Sequence, residues 1–213
     1  MIELRDFRKE VAPEAVQCPG AMIDRAVLRA AIDFCRYTLC WRYTLDPIRA
    51  VDGTAEYELD MPNCSRIETV KFAQHNDLEI LPTTEQELVD EGGEEGGDST
   101  WRTTEADQAS HYYMPERGLL RIYPIPDTTT AKALDVVVAL KPDQSAEDLP
   151  NILYNDHLEA LGHGALAKLK AMPGKPWTAL EEVAYHTNAF LEAKRNEKAE
   201  RLNDYTRDSS LYV

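Results

Sequence analysis

Three histidines in the last third of the chain have side chains that could support metal binding or acid–base catalysis. His157 and His163 lie six positions apart on one predicted helix, which places them roughly 240° apart around its axis. They therefore face different ways and are poor candidates to share a metal ion. His186 lies on the helix predicted to pack against theirs and could meet one of them, although packed or surface histidines are the favoured interpretation.

The four cysteines do not have the spacing of a metal site. They occupy positions 18, 35, 40 and 64, and none belongs to a C-x-x-C pair. Without such a pair a zinc site is not predicted, and reduced thiols are expected. Cys35 falls on a predicted apolar helix face, where a cysteine is more often a small core residue than a nucleophile. No metal and no cofactor are therefore predicted.

Recognised catalytic motifs are missing from the sequence. The G-x-S-x-G, P-loop, G-x-G-x-x-G and H-E-x-x-H patterns do not occur. Glu181 and Glu182 are adjacent, and adjacent residues do not share a helix face, so they do not form a two-carboxylate site. The sequence therefore predicts no catalytic residue and favours a protein that is not an enzyme. The less favoured alternative is an enzyme with a ligand site in the β-rich middle. Loss of turnover on changing His186 or Cys64 would favour that alternative.

The negative charge of the chain is concentrated in its middle. The formal net charge is −15, and residues 51–150 hold 7 basic and 22 acidic side chains. Residues 1–50 hold 8 and 7, and residues 151–213 hold 8 and 9. An acidic segment repels nucleic acid, so no surface that grips DNA is predicted. No apolar run predicts a membrane span, and the charged first eleven residues predict no secretory signal.

Two groups of predicted helices, one towards each end of the chain, must position these residues. Apolar residues recur every three or four positions over 23–41, 154–172 and 180–191, which is the period of helices packed on one side. The three stripes predict a helical bundle formed by residues 1–44 and 145–203. Its predicted core comprises Ile23, Val27, Phe34, Trp41, Leu158, Leu161, Leu169, Leu180 and Phe190.

A sharp turn is predicted between the last two helices. The segment "GHGALA", residues 162–167, is rich in small residues that allow a neighbouring helix to approach closely, and the long N-terminal helix is the obvious partner. The segment "MPGKPW", residues 172–177, follows it and predicts a tight αα-hairpin. The residues of this helix-hairpin corner are Pro173, Gly174, Pro176 and Trp177.

Residues 45–144 predict a β-rich insertion between the helical segments. Alternating apolar residues predict strand–turn–strand units around Asp52–Gly53, His75–Asp77 and Pro115–Gly118. The apolar segment 133–142 predicts a central strand. The fold class is therefore predicted as α+β: a helical bundle built from both chain ends, with an inserted antiparallel β-rich unit.

Two threonine–glutamate pairs have the spacing of a helix-capping box. Thr84 precedes Glu87 at the start of a short predicted helix, and Thr178 precedes Glu181 at the start of the last one. An acidic glycine-rich loop is predicted at 91–99, after the short helix.

Several stretches, taken in order, match the pattern of one protein family. Residues 26–48 resemble its first long helix with the extended exit that follows, and residues 52–72 and 81–92 resemble its β-insertion. The closest likeness runs from Tyr112 to Trp177: a strand ending in Pro-x-Pro, a strand ending in Lys-Pro, a Leu-Pro, the small-residue helix and a Pro-Trp restart. "TNAFLEAKR", residues 187–195, follows. Over about residues 20–200 the chain thus resembles the adaptor, or head-to-tail connector, proteins of tailed bacteriophages.

The resemblance implies a structural role in the virion neck or tail. Such adaptors form a ring, usually of twelve copies, beneath the portal vertex of the capsid. The ring continues the channel used for genome ejection and offers a docking surface to the next tail component, a nozzle or a tail tube. By this resemblance the chain assembles in the host cytoplasm, DNA passes without specific binding, and no membrane is involved. Another self-assembling scaffold protein with the same plan is the alternative.

The C-terminal segment of these adaptors commonly clasps the portal protein. In this chain the matching segment is an extended tail at 204–213, and simple fraying of that tail is the alternative. The corner at 173–176 is expected at one rim of the ring. The resemblance assigns portal docking to Tyr205, Arg207, Leu211, Tyr212 and Val213.

Overall fold

The computed structural model describes residues 1–91 and 100–208; most of the predicted acidic loop and the last five residues lie outside this range. The chain divides into two compact units. Met1–Trp41, Asn63–Ser65 and the segment from Leu140 onward form a helical unit, and Arg42–Pro62 with Arg66–Ala139 form a β-rich unit. Helices and mainly antiparallel sheets both occur, so the fold class is α+β.

Helices lie towards both ends of the described chain and most strands lie between them. The helices are α1 (Leu4–Val11), α2 (Gly20–Thr38), α3 (Glu85–Glu91), α4 (Asn151–Asn155), α5 (Leu158–Lys170) and α6 (Leu180–Asp208), with a 3-10 turn at Thr100–Arg102. The strands are β1 (Ile2–Glu3), β2 (Arg42–Thr44), β3 (Ile48–Ala50), β4 (Glu56–Glu58), β5 (Ser65–His75), β6 (Leu78–Glu79), β7 (Leu81–Pro82), β8 (Glu105–Ala106), β9 (His111–Glu116), β10 (Leu119–Tyr123), β11 (Ile125–Pro126), β12 (Thr130–Pro142) and β13 (Asp148–Leu149). Among the described helices, none combines the length and apolar character needed to cross a membrane.

Strand β12 is central in the larger sheet of the β-rich unit, which confirms the prediction for residues 133–142. The sheet has the order β2-β12-β5-β6, and β3 also pairs with β12. A second sheet has the order β4-β10-β9-β7. Most pairs are antiparallel as predicted, but β7 runs parallel to β9 and β8 runs parallel to β11.

All three predicted strand–turn–strand units are present, and two of them are hairpins. Strands β5 and β6 are joined by Asn76 and Asp77, whose φ angles are 48° and 63°, as a two-residue type I′ turn requires. Strands β9 and β10 pair across a turn that contains Gly118 at φ 92°. At Asp52–Gly53 a strand, a turn and a strand follow one another as predicted, but the two strands do not form a hairpin, because β3 pairs with β12 whereas β4 pairs with β10. The turn signal was read correctly, but its flanking strands enter different sheets.

Only one of the two predicted capping boxes forms. The Thr84 backbone N–H donates to the Glu87 carboxylate at 2.8 Å, and the Glu87 N–H donates to the Thr84 hydroxyl at 3.2 Å. These bonds also lower the pKa of Glu87. The Thr178 hydroxyl instead accepts from the Lys175 N–H at 2.9 Å and donates to the Met172 carbonyl. Because α6 begins two residues after it, Thr178 closes the preceding turn rather than capping the helix.

Helix α2 begins at Gly20 as predicted but ends before Trp41. Leu39 has φ 56°, a left-handed conformation that ends a helix, and its N–H donates to the Cys35 carbonyl at 2.9 Å. Trp41 is buried all the same. It therefore belongs to the core but reaches it from outside the helix.

Most side chains of the predicted bundle core are out of contact with solvent. Ile23, Val27, Phe34, Trp41, Leu161, Leu169 and Phe190 are buried, and Leu158 is half-buried. Leu180 is 65% exposed, so its assignment to the core is wrong. Helix α6 turns another face inward, and the buried residues on that face are His186, Phe190, Lys194 and Glu197.

Two helix boundaries in the C-terminal part also differ from the prediction. The helix expected from Tyr154 onward is interrupted, because α4 ends at Asn155 and α5 begins at Leu158. Helix α6 continues to Asp208, so an extended tail at 204–213 is wrong for residues 204–208, which include Tyr205 and Arg207. Neither Gly nor Pro occurs between residues 180 and 208 to stop the helix. Leu211, Tyr212 and Val213 lie outside the described residues.

Candidate interaction site on the helical unit

The turn between α5 and α6 is an exposed corner of the helical unit. Pro173, Gly174, Lys175 and Pro176 are exposed, and Trp177 beside them is buried. Gly174 has φ 68°, a backbone conformation that favours glycine. The Ala179 N–H donates to the Lys170 carbonyl at 3.2 Å and closes the turn. The corner is thus a short, hydrogen-bonded loop that is anchored to the helical unit by the buried side chain of Trp177.

Helix α5 approaches its neighbours most closely at Gly164. A Cβ atom added there would lie 2.9 Å from Ala30 Cβ on α2 and 2.9 Å from two ring carbons of Phe190 on α6. At Gly162 an added Cβ would meet Glu10 Cγ at 2.7 Å, in a side chain that can rotate away. The small residues ahead of the corner therefore serve the close packing that the sequence indicates, and α2 is the partner.

A buried lysine connects the corner to the rest of the helical unit. Lys170, the last residue of α5, donates to Glu14 Oε2 at 3.2 Å and to Glu182 on α6. Burial alone lowers the pKa of Lys170, but the bonds to the two carboxylates outweigh it and raise that pKa. The bond from Lys170 lowers the pKa of Glu182. Glu182 is therefore an ion-pair partner of Lys170.

His186 lies beside this lysine and is 2% exposed. Its Nε2 is 3.3 Å from Glu14 Oε2, and its Nδ1 is 2.9 Å from His163 Nδ1. One imidazole donates to the other, which confirms that His186 meets a histidine of the facing helix. Burial lowers the pKa of His186. The His186 ring is therefore suited to the neutral state near pH 7, as a packed histidine rather than a catalytic one.

Acid is expected to destabilise the protein through His186. Its pKa in the folded state lies below the unfolded value of about 6.5, so the unfolded chain binds more protons when the pH is low. The contribution is fully present above about pH 6.5 and is lost as the pH falls below that value. Urea unfolding at a series of pH values measures the slope. His186→Gln should reduce it, and His111→Gln in the β-rich unit is the control; equal slopes in the His186 variant and the unmodified chain would contradict the prediction.

The inward face of α6 is largely polar. Lys194 donates to Asp33 on α2 at 2.9 Å and lies 4.7 Å from the centre of the Phe190 ring. Glu197 accepts from Arg201 Nε at 2.6 Å. Charged groups are buried only when paired in this way. Sequence reasoning missed this face because it searched for apolar stripes; the helical spacing of 186, 190, 194 and 197 was the available signal.

The outward face of α6 carries the apolar residues that the core does not use. Leu180, Leu191 and Leu202 are 65%, 36% and 61% exposed. At about 100° per residue they fall within about 40° of one another around the helix. We call these three residues the α6 stripe. Successive members are 11 residues apart, about 16.5 Å along the axis, so they are single apolar side chains along one line of the helix and not a contiguous apolar patch. The α6 stripe and the corner at 173–176 together form the candidate interaction site.

An exposed corner and exposed leucines along one helix are surfaces that a protein can use to assemble with other proteins. The family model described as SU10 adaptor protein matches residues 3–211. The match covers nearly the whole chain, so the chain belongs to this family of phage head–tail adaptors, and the resemblance inferred from the sequence is confirmed. It is a structural protein of the phage virion neck, and the family is not a family of enzymes. Among curated proteins, none matches the chain.

Proposed function

We propose that the chain is the subunit of an adaptor ring that joins the portal vertex of the capsid to the tail and continues the DNA channel. The observation that carries the proposal is the family match across residues 3–211. The ring contains twelve copies of the chain and assembles in the host cytoplasm. It binds the portal protein on one side and the next tail component, a nozzle or a tail tube, on the other.

The α6 stripe supports contacts between neighbouring copies. A ring of identical subunits needs head-to-tail interfaces, in which two different surfaces of the chain meet. Leu180 and Leu202 mark the two ends of the stripe, about 33 Å apart at 1.5 Å per residue. A neighbouring copy that lies along α6 could bury these three leucines, which are spaced along this length.

The charge of the chain supports passage of DNA without specific binding. The net charge is −15, with 22 acidic and 7 basic side chains in residues 51–150. A channel wall that grips DNA needs basic side chains to replace the counterions of the phosphates. An acidic chain repels the phosphates and lets the duplex slide.

Portal docking is proposed for the C-terminal segment, through Tyr205, Arg207, Leu211, Tyr212 and Val213. Helix α6 reaches Asp208, so Tyr205 and Arg207 are presented on helical turns rather than on an extended strand. Binding through a short terminal segment costs ordering entropy, and contacts of its final apolar residues compensate for that cost.

Deleting residues 209–213 is expected to abolish the portal complex and leave α6 intact, because Leu211, Tyr212 and Val213 are removed and the helix is not. Native mass spectrometry of the full chain and of a chain ending at Asp208, each alone and mixed with portal protein, measures both assemblies. A chain with 209–213 replaced by five glycine and serine residues controls for length. If the full chain formed a ring but did not bind portal protein, another scaffold protein would be favoured. If it formed neither a ring nor a portal complex, the proposal would be contradicted. Assembly only on the portal still supports it.

The corner at 173–176 is proposed to lie at one rim of the ring. Replacing Pro173 and Pro176 with alanine is expected to reduce ring formation while changing the free energy of unfolding by no more than about 1 kcal/mol, because both prolines are exposed. Native mass spectrometry gives the fraction of chain in rings, and urea unfolding gives the stability. Pro13→Ala changes another exposed proline of the helical unit and is the control. Ring formation equal to that of the control would count against a rim position.

A further inference from the structure

The helical unit contains a second polar cluster that the adaptor role does not use. Cys40 Sγ, His157 Nε2 and a Glu197 carboxylate oxygen all lie within 4.8 Å of one another. Cys40 lies two residues after α2, His157 directly precedes α5, and Glu197 is on α6. Three separate segments of the helical unit therefore bring one potential metal ligand each to a single point.

Cys40 and Glu197 are buried, whereas His157 is partly exposed, and one atom of the cluster lacks a partner. Cys40 is 2% exposed and Glu197 is 6% exposed. Within the described part of the chain, His157 Nε2 is buried and has no hydrogen-bond partner. Its nearest recorded acceptor, Glu197 Oε2, is 3.6 Å away, too far for a hydrogen bond. A buried polar atom without a partner requires an explanation, and a bound ion is one of the usual ones.

The spacing of these atoms fits shared coordination. Two ligands bound at about 2.0–2.1 Å to one tetrahedral zinc ion lie about 3.3 Å apart. The distance of 3.6 Å between His157 Nε2 and Glu197 Oε2 is close to that value. We infer that Cys40, His157 and Glu197 form a binding site for a divalent transition metal, and that Zn²⁺ is the ion that fits it best. Thiolate and imidazole ligands favour zinc over magnesium or calcium, which require oxygen ligands.

One neighbouring side chain orients Glu197 for coordination. Arg201 Nε holds the other Glu197 oxygen, Oε1, at 2.6 Å, so Oε2 is left to face His157. Partners that orient the ligands in this way are typical of zinc sites.

The other cluster with metal-ligand residues provides an internal contrast. Glu14, Glu182 and His186 also bring three potential ligand atoms together. Lys170 Nζ already bonds both of its carboxylates, so the positive charge that the cluster needs is part of the chain. In the cluster of Cys40, His157 and Glu197 the cation is Arg201, which bonds Glu197 Oε1, but His157 Nε2 stays buried without a hydrogen-bond partner. The metal site is therefore assigned to this cluster and not to the one that Lys170 bridges.

A metal ion at this point would join the end of α2, the start of α5 and the second half of α6. Because the three ligands come together only in the folded chain, binding stabilises the folded state. The site would hold in place the part of α6 that leads towards the proposed portal-docking segment.

Metal content of the full chain tests the inference. Protein purified without chelators, dialysed against Zn²⁺ and then freed of excess metal is expected to retain about one zinc ion per chain, as measured by inductively coupled plasma mass spectrometry. Removal of the zinc with EDTA should lower the midpoint of unfolding. Co²⁺ in place of zinc should give a thiolate-to-cobalt charge-transfer band and the intense visible bands of a tetrahedral ion. These measurements need only the isolated chain, so their outcome is independent of ring assembly.

Matched variants locate the ion. Cys40→Ser and Glu197→Gln should each weaken zinc binding by more than about tenfold, and Cys40→Ser should also remove the charge-transfer band. Two controls should bind zinc as the unmodified chain does. They are Cys64→Ser, at an exposed cysteine, and Glu182→Gln, in the cluster that Lys170 bridges. If Cys40→Ser does not fold, the cobalt spectrum of the unmodified chain and the Glu197→Gln titration decide. No retained zinc with an unfolding midpoint insensitive to EDTA, or loss of zinc in Glu182→Gln but not in Glu197→Gln, would overturn the inference.

Discussion

Replacing Phe34 with alanine is expected to lower the free energy of unfolding by about 3–5 kcal/mol. Phe34 is fully buried on α2, and its ring centre lies 4.7 Å from that of His157 and 6.1 Å from that of Phe190. The substitution removes a large apolar side chain and leaves a cavity between α2, the start of α5 and α6. Since domains are stable by only about 5–15 kcal/mol, this loss would be a large fraction of the total.

The matched control for this variant is Leu180→Ala. The sequence places both residues in the bundle core, but Leu180 is 65% exposed. Its removal should change the free energy of unfolding by no more than about 0.5 kcal/mol. Urea unfolding of the two variants and the unmodified chain, followed by circular dichroism, measures the difference. Equal losses would show that α6 buries a different face from the one described here.

Gly164→Ala is expected to destabilise the helical unit by about 1–3 kcal/mol, although alanine is the better helix former. The added Cβ would stand 2.9 Å from Ala30 Cβ and 2.9 Å from the Phe190 ring, both in the packed interior. Ala30 has no rotatable side chain with which to avoid the contact. Helix α5 must therefore shift away from α2. The packing free energy lost in this shift exceeds the stabilisation that the higher helix propensity of alanine contributes.

Gly162→Ala, two residues earlier on α5, provides the comparison. The added Cβ would meet Glu10 Cγ, and a glutamate side chain can move to another rotamer. The helix propensity gain of about 1 kcal/mol should then offset most of the cost. Thermal and urea unfolding of the pair measure the difference in stability. If Gly164→Ala were as stable as Gly162→Ala, the close approach of α5 to α2 would not exist.

Local signals were enough to determine the α+β class, most of the helices and the family. The three-to-four-residue apolar period placed α2, and the β5–β6 turn was recognisable from His75-Asn76-Asp77. These features depend on neighbours in the chain, so composition and spacing encode them. The ordered set of such features also identified the adaptor family, which the match across residues 3–211 confirms.

The pairing of strands could not be determined in the same way. Asp52–Gly53 has the composition of a hairpin turn, yet β3 and β4 on either side of it enter different sheets. Their partners, β12 and β10, lie far along the chain. Which strand a segment pairs with depends on the packing of the whole unit, and a turn signal reports only local backbone geometry.

The inward face of α6 and both of its polar clusters were likewise decided by tertiary structure. By itself the sequence indicated a helix from residue 180 that ends before the tail at 204–213. It did not determine that the helix continues to Asp208, nor that Lys194 and Glu197 are buried while Leu180 is exposed. Burial of a charge is favourable only where a partner neutralises it. Those partners are distant in sequence: Asp33 for Lys194, and Glu14 for Lys170, 156 positions away. Ion pairs of this kind, and the meeting of Cys40 with His157 and Glu197, exist only once the helices have packed.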